Sequence, residues 1–255
     1  MKDIYLNINK EVDISNSMVL LGFPTVGLIG SISGNYIANT LNLEQIGSIH
    51  SKHFHPTAII RNGKPVQQVR IYYGGDDICK GNNECDHLIV IVGDLPIHSS
   101  IIYSMIEEIL QWTDKGNISC FLGLEGIKSD NKKEGEVDVY GVGTTQKMID
   151  LLDQYDIEQT KDGIITGLSG ALLAFLEEKN QDMLCILTEA HVMYPDSRAA
   201  GRLLEKIDKM LPGVDLDLAP LYDEAEKIET KIKEYMKQSK DFSQFPQTNI
   251  PHMYQ

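Results

Sequence analysis

The chain contains 255 residues, of which 42% are hydrophobic and 24% charged, a composition typical of a soluble globular protein with a substantial core. Its formal net charge is −14 at pH 7, which disfavours nucleic acid as a partner because nucleic-acid-binding proteins present a basic face. The sequence has no apolar run of about eighteen residues and no targeting leader, so it predicts a cytoplasmic protein without a membrane span.

Two strands, at residues 4–8 and 18–22, open the chain, and the second leads into the segment GFPTVGLIGSISGNYIANTL. Apolar residues recur there at helical spacing, which predicts a helix after a turn. Its glycines, Gly27, Gly30 and Gly34, do not match the spacing of either nucleotide-binding fingerprint. We expect them to let the helix pack closely on a sheet, with a phosphate site as the alternative.

A β-hairpin is predicted next, after a strand at residues 45–50. Two β-rich runs, at residues 57–60 and 66–73, are joined by a turn that contains Asn62 and Gly63. Asn-Gly between such runs is a strong hairpin signal. The sequence therefore predicts an antiparallel hairpin inserted into an otherwise parallel arrangement.

Strands and helices then alternate. The predicted strands are 87–92, 118–122 and 137–142, the predicted helices are 99–115 and 145–155, and a long polar segment covers 125–136. Residues 162–202 predict a β-α-β-α unit: a strand at 164–166, a glycine-rich turn at 167–170 followed by a helix, a strand at 183–188, and a helix from about Asp196.

This order predicts a three-layer α/β fold with a mixed, mainly parallel sheet, an inserted β-hairpin, and a C-terminal helix followed by a flexible tail. We expect an α/β domain over residues 1–217, the helix over 218–238 and the tail over 239–255.

One candidate for catalysis is a nucleophile elbow. The sequence GLSGA at residues 167–171 places Ser169 between a strand and a helix, with His191 and Asp196 downstream. The second glycine of the elbow is replaced by alanine and the acid follows the histidine, so we favour Ser169 as a helix N-cap over a serine hydrolase. Glu189 and His191 flank a strand end, where α/β folds carry ligands, but they lack a second acid or base.

A metal site is a second candidate, but the spacing of its ligands is not that of a zinc motif, and we favour surface histidines. The residues concerned are His50, His53, His55, Cys79, Cys85 and His87. Nor does the spacing of the four cysteines predict a disulfide framework. Cys120 and Cys185 lie in apolar runs and are expected to be small core residues.

The C-terminal helix carries an apolar seam that needs a partner, either the sheet of the same chain or a second subunit. The seam consists of Leu221, Ala225, Ile228, Ile232 and Tyr235. After it, residues 239–255 are polar, contain two prolines and show no helical periodicity. This tether ends in Met253, Tyr254 and Gln255: a hydrophobic residue, a penultimate tyrosine and a terminal carboxylate.

Three segments together resemble the archaeal members of the proteasome assembly chaperone family: GFPTVGLIGSISGNYIANTL, GIITGLSGALL and LTEAHVMYPDSRAAGRLLEKI. The resemblance covers most of residues 18–225. The hydrophobic-tyrosine-any terminus is similar to the tails by which proteasomal ATPases, activators and certain assembly chaperones dock between 20S α-subunits.

The resemblance implies an ATP-independent binding protein without a catalytic, metal or cofactor site, which assembles with 20S α-subunits or activates the finished particle. It implies a homo-oligomer, with a tetramer as the expected form. Tyr254 would enter a pocket between α-subunits, Met253 would add apolar contact, and the carboxylate of Gln255 would pair with a basic side chain. The family fold is also similar to that of nucleoside phosphorylases, which keeps an enzyme acting on a small molecule as the alternative.

Overall fold

A computed structural model describes residues 3–75, 78, 85–128, 139–211 and 215–227 of the chain. Within these residues the main sheet contains nine strands, and two further strands form a small sheet of their own. The strands are β1 Ile4–Ile8, β2 Ser17–Gly22, β3 Glu44–Ser51, β4 Ile59–Arg61, β5 Lys64–Val66, β6 Val69–Gly74, β7 His87–Gly93, β8 Cys120–Lys128, β9 Val139–Gly143, β10 Glu158–Gln159 and β11 Met183–Ala190.

The helices alternate with these strands. They are α1 Ile29–Thr40, α2 Ile102–Thr113, α3 Gln146–Gln154, α4 Gly167–Glu178 and α5 Ser197–Met210, with short 3-10 turns at Val26–Leu28, Ser99–Ile101 and Asp114–Gly116. Residues 219–227 are also helical. No helix among the described residues is long and apolar enough to cross a membrane.

The main sheet has the strand order β1-β3-β6-β7-β2-β8-β11-β9-β10. Its central strands β7, β2, β8 and β11 run parallel, whereas β1, β3 and β6 form an antiparallel flank and β9 pairs antiparallel with β11. The carboxyl ends of the four parallel strands therefore lie along one edge, here called the carboxyl edge. Because Val69 pairs with Gly93, β6 begins at that edge, and the β4–β5 hairpin that precedes β6 lies there too.

Helices cover both faces of the sheet and build two hydrophobic clusters. Ile37 of α1, Leu152 of α3 and Leu203 of α5 belong to the cluster on one face. Ile109 of α2 and Leu172 of α4 belong to the cluster on the other. The predicted three-layer α/β fold with a mixed sheet is confirmed.

The hairpin is confirmed, but its partners differ from those predicted. Asn62 and Gly63 have φ angles of 50° and 75°, as the turn between Arg61 and Lys64 requires. The run at residues 66–73 is two strands, because β5 ends at Val66 and pairs with β4 while β6 begins at Val69 and joins the main sheet.

Three other predictions are wrong. The glycine-rich turn predicted at residues 167–170 is the first turn of α4. Residues 164–166 form a loop that leads into α4, and Ile164 is 90% exposed. The predicted polar segment 125–136 begins inside β8, since that strand continues to Lys128 and buries Glu125.

Candidate functional site

The residues predicted to dock, Met253, Tyr254 and Gln255, lie outside the described residues, as do Ile228, Ile232 and Tyr235 of the apolar seam. Leu221 and Ala225, the described part of the seam, are both buried, and Leu221 belongs to the cluster that contains α5. Beside them, the Tyr222 ring lies against Gly201 of α5, and its hydroxyl donates a hydrogen bond of 2.5 Å to Glu205. This part of the helix therefore packs against its own chain.

Two loops and strand β8 are fixed to one another at the carboxyl edge. The Gly126 amide donates to Thr25 Oγ1 at 2.9 Å, which ties β8 to the loop before α1. The Asp196 amide donates to the Gly27 carbonyl at 2.9 Å, which ties that loop to the start of α5. Asp196 accepts from the amides of His191 and Ala199, each at 3.0 Å. Asp196 is thus the N-cap of α5, as a carboxylate before a helix often is.

The proposed serine nucleophile does not have the surroundings of an elbow. Ser169 lies within α4, whose N-cap is Thr166, so the predicted role of Ser169 as the cap is wrong. Its side chain is 1% exposed and forms a hydrogen bond with Glu125. His191, in contrast, is exposed and stacks on Tyr194, with the ring centroids 4.7 Å apart. Glu189 is half-buried one residue before the end of β11.

Glu125 is a buried acid that the sequence analysis missed. It is 7% exposed, and burial raises its pKa from 4.5 to about 7, against the hydrogen bond with Ser169, which lowers it. Cys185 is close by: a Cβ on Gly123 would lie 3.1 Å from Ser169 Oγ and 3.3 Å from Cys185 Sγ. Burial, followed by the charge of Glu125, raises the pKa of Cys185. The signal in the sequence was its apolar surroundings, since glycine, leucine and isoleucine flank Glu125.

A second missed group is the ion pair between Arg70 of β6 and Asp94, which follows β7 directly. Arg70 is 1% exposed; it donates two hydrogen bonds to Asp94, and others to Asn35 Oδ1 and the Tyr72 hydroxyl at 2.9 Å each. Arg61 of the hairpin donates to the same carboxylate at 2.7 Å. Burial alone would raise the pKa of Asp94, but Arg70 and Arg61 outweigh it and hold that pKa below its ordinary value.

The glycines of the opening segment pack α1 against the sheet. A Cβ on Gly30 would lie 2.1 Å from the carbonyl oxygen of Phe23 and 2.7 Å from that of Leu124. A Cβ on Gly34 would lie 3.1 Å from the Cα of Gly22. These approaches are possible only without a side chain, and they confirm the packing interpretation of the stripe.

The histidines and cysteines have separate environments. Among the described residues, no three potential ligands form a metal cluster. His50 stacks on Tyr5, His53 Nε2 lies 3.6 Å from Asp3, and His87 lies 3.1 Å from the Tyr73 hydroxyl. His55 is exposed. Cys85 is disulfide-bonded and Cys79 lies outside the described residues. Cys120 and Cys185 are buried thiols, which confirms them as core residues.

The comparison with protein families matches residues 19–236 to the PAC2 family. An uncharacterised protein of Methanocaldococcus jannaschii is 29% identical over 228 residues, which cover 89% of each chain.

Among solved structures, this chain is similar to PbaA of Pyrococcus furiosus, described as an archaeal homolog of proteasome-assembly chaperone. The TM-score is 0.81 and the identity 27%, with 94% of each chain covered. PbaB of the same organism, described as an archaeal proteasome activator, shares the fold with a TM-score of 0.80 at 20% identity, over 92% of this chain and 100% of that one.

Proposed function

Because the chain belongs to the PAC2 family, we propose that it is an ATP-independent proteasome-assembly chaperone or activator that binds 20S α-subunits through its C-terminal tail. The observation that carries the proposal is the similarity to PbaA, with a TM-score of 0.81 and 27% identity over 94% of both chains. The hydrophobic-tyrosine-any sequence at Met253–Gln255 adds the means of binding.

The crevice between strand ends at the carboxyl edge is filled by side chains, which supports a protein-binding role over catalysis on a small molecule. Ligands of open α/β sheets usually occupy a crevice where connections leave neighbouring strands on opposite faces. Here that place lies between the ends of β2 and β7, since α1 and α2 pack on opposite faces. The Phe23 ring fills it, 2.6 Å from the position of a Cβ on Gly93, and the Ser31 hydroxyl donates to the Gly93 carbonyl at 2.7 Å.

The tail supplies the kind of contact that small pockets between subunits accept. A tyrosine ring provides most of the energy of such an anchor, and a terminal carboxylate pairs with a basic group of the ring. The proposal therefore requires a free carboxylate on Gln255. One tail of three residues binds weakly, so several tails on a homo-oligomer, expected to be a tetramer, raise the effective concentration.

A pull-down of 20S particles with the full chain tests the proposal. The Tyr254→Ala variant is expected to lose the particles, because the anchor ring is removed while the fold stays intact. Tyr103→Ala is the matched control, since Tyr103 is an exposed tyrosine of α2, and it is expected to retain them. Equal recovery of 20S by Tyr254→Ala and the intact chain would refute docking through the tail.

A further inference from the structure

The segment around the β4–β5 hairpin is basic in an otherwise acidic chain. Residues 52–70 contain four basic residues, two histidines and no aspartate or glutamate, whereas the whole chain has a net charge of −14. Within it, residues 52–67 are exposed or half-buried throughout, and we call them the arm. Arg70 is buried against Asp94, whereas the other three cations are exposed: Lys52, which pairs with Asp3 at 2.5 Å, Arg61, which pairs with Asp94, and Lys64 at the turn.

The arm is joined to the body by a few polar contacts, one of them beside the hairpin turn. Arg61 binds Asp94 at 2.7 Å, and Gln68 donates to the carbonyls of His55 and Thr57 at 2.5 and 3.1 Å. Ile60 pairs with Pro65 on one face of the hairpin, and Ile60 is 61% exposed. A two-stranded hairpin is marginally stable in water without a surface to pack on. The hairpin thus presents an apolar face, formed by Ile60 and Pro65, beside basic side chains. The complementary partner is an acidic surface with an apolar residue at its centre.

The chain carries such a surface itself. Residues 150–164, which we call the acidic end, contain five acidic residues and one basic residue, Lys161. The acidic side chains are all exposed: Asp150, Asp153, Asp156, Glu158 and Asp162. Ile164, two residues after Asp162, is 90% exposed. Ile164 lies in the loop before α4, at the same carboxyl edge of the sheet as the arm.

The arm and the acidic end cannot meet within one chain. The arm precedes β6, whereas the acidic end contains β10, and β7, β2, β8, β11 and β9 separate these two strands in the sheet. With about 4.8 Å between neighbouring strands, β6 and β10 lie about 30 Å apart. Two complementary surfaces at opposite ends of one sheet produce a head-to-tail contact between copies, and such a contact closes into a ring when its rotation allows.

We propose that the arm of one copy binds the acidic end of the next, with Ile60 packed against Ile164 and the arm's cations against the surrounding carboxylates. The inference rests on the self-association within the proposed function and assigns it a contact surface. Neither surface includes the tail, so tail docking and arm contact are tested separately.

The test is the mass of the full chain in solution, measured by light scattering at about 0.15 M salt, where surface charges still act over several ångströms. The intact chain is expected at a multiple of 28.6 kDa. The Ile60→Asp, Lys64→Glu double variant is expected at the mass of one chain, with unchanged circular dichroism. An intact chain that is monomeric, or a double variant that keeps the mass of the assembly, would overturn the proposal.

A charge swap tests the pairing itself. Lys64→Glu and Asp162→Lys are each expected to weaken association about tenfold or more, and together in one chain to restore it, since each reversed surface again meets its opposite. Lys209→Glu, at an exposed position of α5, changes the net charge as much as Lys64→Glu and should leave the mass unaltered. Additive losses in the combined variant would contradict the arm–acidic end contact.

Tyr254→Ala separates the two proposals. It is expected to keep the mass of the assembly while losing 20S particles. An assembly that depends on Lys64, together with a tail variant that still binds 20S, would uphold the arm contact and reject tail docking.

Discussion

Glu125 is the buried acid whose protonation should most affect stability. It is buried between β8 and α4, and burial raises its pKa from 4.5 to about 7. A carboxyl whose pKa is raised on folding makes its full contribution to stability at pH values below its pKa in the unfolded chain, which is near 4.5. That contribution is lost as the pH rises through about 7. Above pH 7 the charged form therefore costs about 3 kcal/mol at most.

Glu125→Gln should raise the free energy of unfolding at pH 8 and change it little at pH 4.5. The amide keeps the shape and a hydrogen bond to Ser169 but carries no charge to bury. Urea denaturation at both pH values measures the effect, with the exposed Glu178→Gln of α4 as control. A Gln variant that gains no stability at pH 8, or gains equally at both pH values, would contradict this account.

Asp94 is the opposite case, because its charge is required. Removing it by Asp94→Asn leaves the buried guanidinium of Arg70 without its counter-ion, which costs about 3–5 kcal/mol in comparable buried pairs. Glu44→Gln removes the partner of Lys10 in an exposed pair and should cost less than about 1 kcal/mol. Chemical denaturation at pH 7 compares the two. Similar losses in both variants would show that the Arg70–Asp94 pair does not stabilise the body.

At the scale of elements, the contact between α1 and the sheet depends on the absence of a side chain at Gly30. A methyl group there would lie 2.1 Å from the Phe23 carbonyl oxygen. Gly30→Ala should therefore destabilise the protein by about 1–3 kcal/mol or more, since overpacking forces the helix away from the sheet. The measurement is the free energy of unfolding in urea.

Gly163→Ala is the control for that experiment. A Cβ on Gly163 would meet only Thr160 Cγ2, at an ordinary 3.6 Å. A Gly30→Ala variant as stable as Gly163→Ala would mean that α1 does not depend on this close approach.

The elements that the sequence predicted correctly are those with local signals. The turn at Asn62 and Gly63 is fixed by its own backbone preferences, so the hairpin was predictable. The strand at residues 164–166 was not, because a short apolar run looks the same in a strand and in a loop before a helix. Whether β5 and β6 are one strand or two depends on which partner each pairs with, and those partners are distant in the sequence.

For the whole molecule, the alternation of strands and helices in the sequence was sufficient to predict the α/β class. It was not sufficient to predict the order of the strands in the sheet. The order requires β1, β3 and β6 to return beside β7 in an antiparallel flank, which no local pattern encodes. The Arg70–Asp94 pair joins residues 24 positions apart, and it forms only when the register of β6 on β7 brings them together. The proposed docking tripeptide Met253–Gln255 could be suggested from the sequence because a linear motif needs no fold to be recognised.

The most direct test of the central claim is the affinity of the full chain for 20S particles before and after removal of Met253–Gln255. Removal is expected to weaken the affinity about a hundredfold or more, since an aromatic anchor and a charge pair are lost together. The mass of the assembly should stay unchanged. Equal affinity of the shortened and the full chain would contradict docking on 20S particles through the tail.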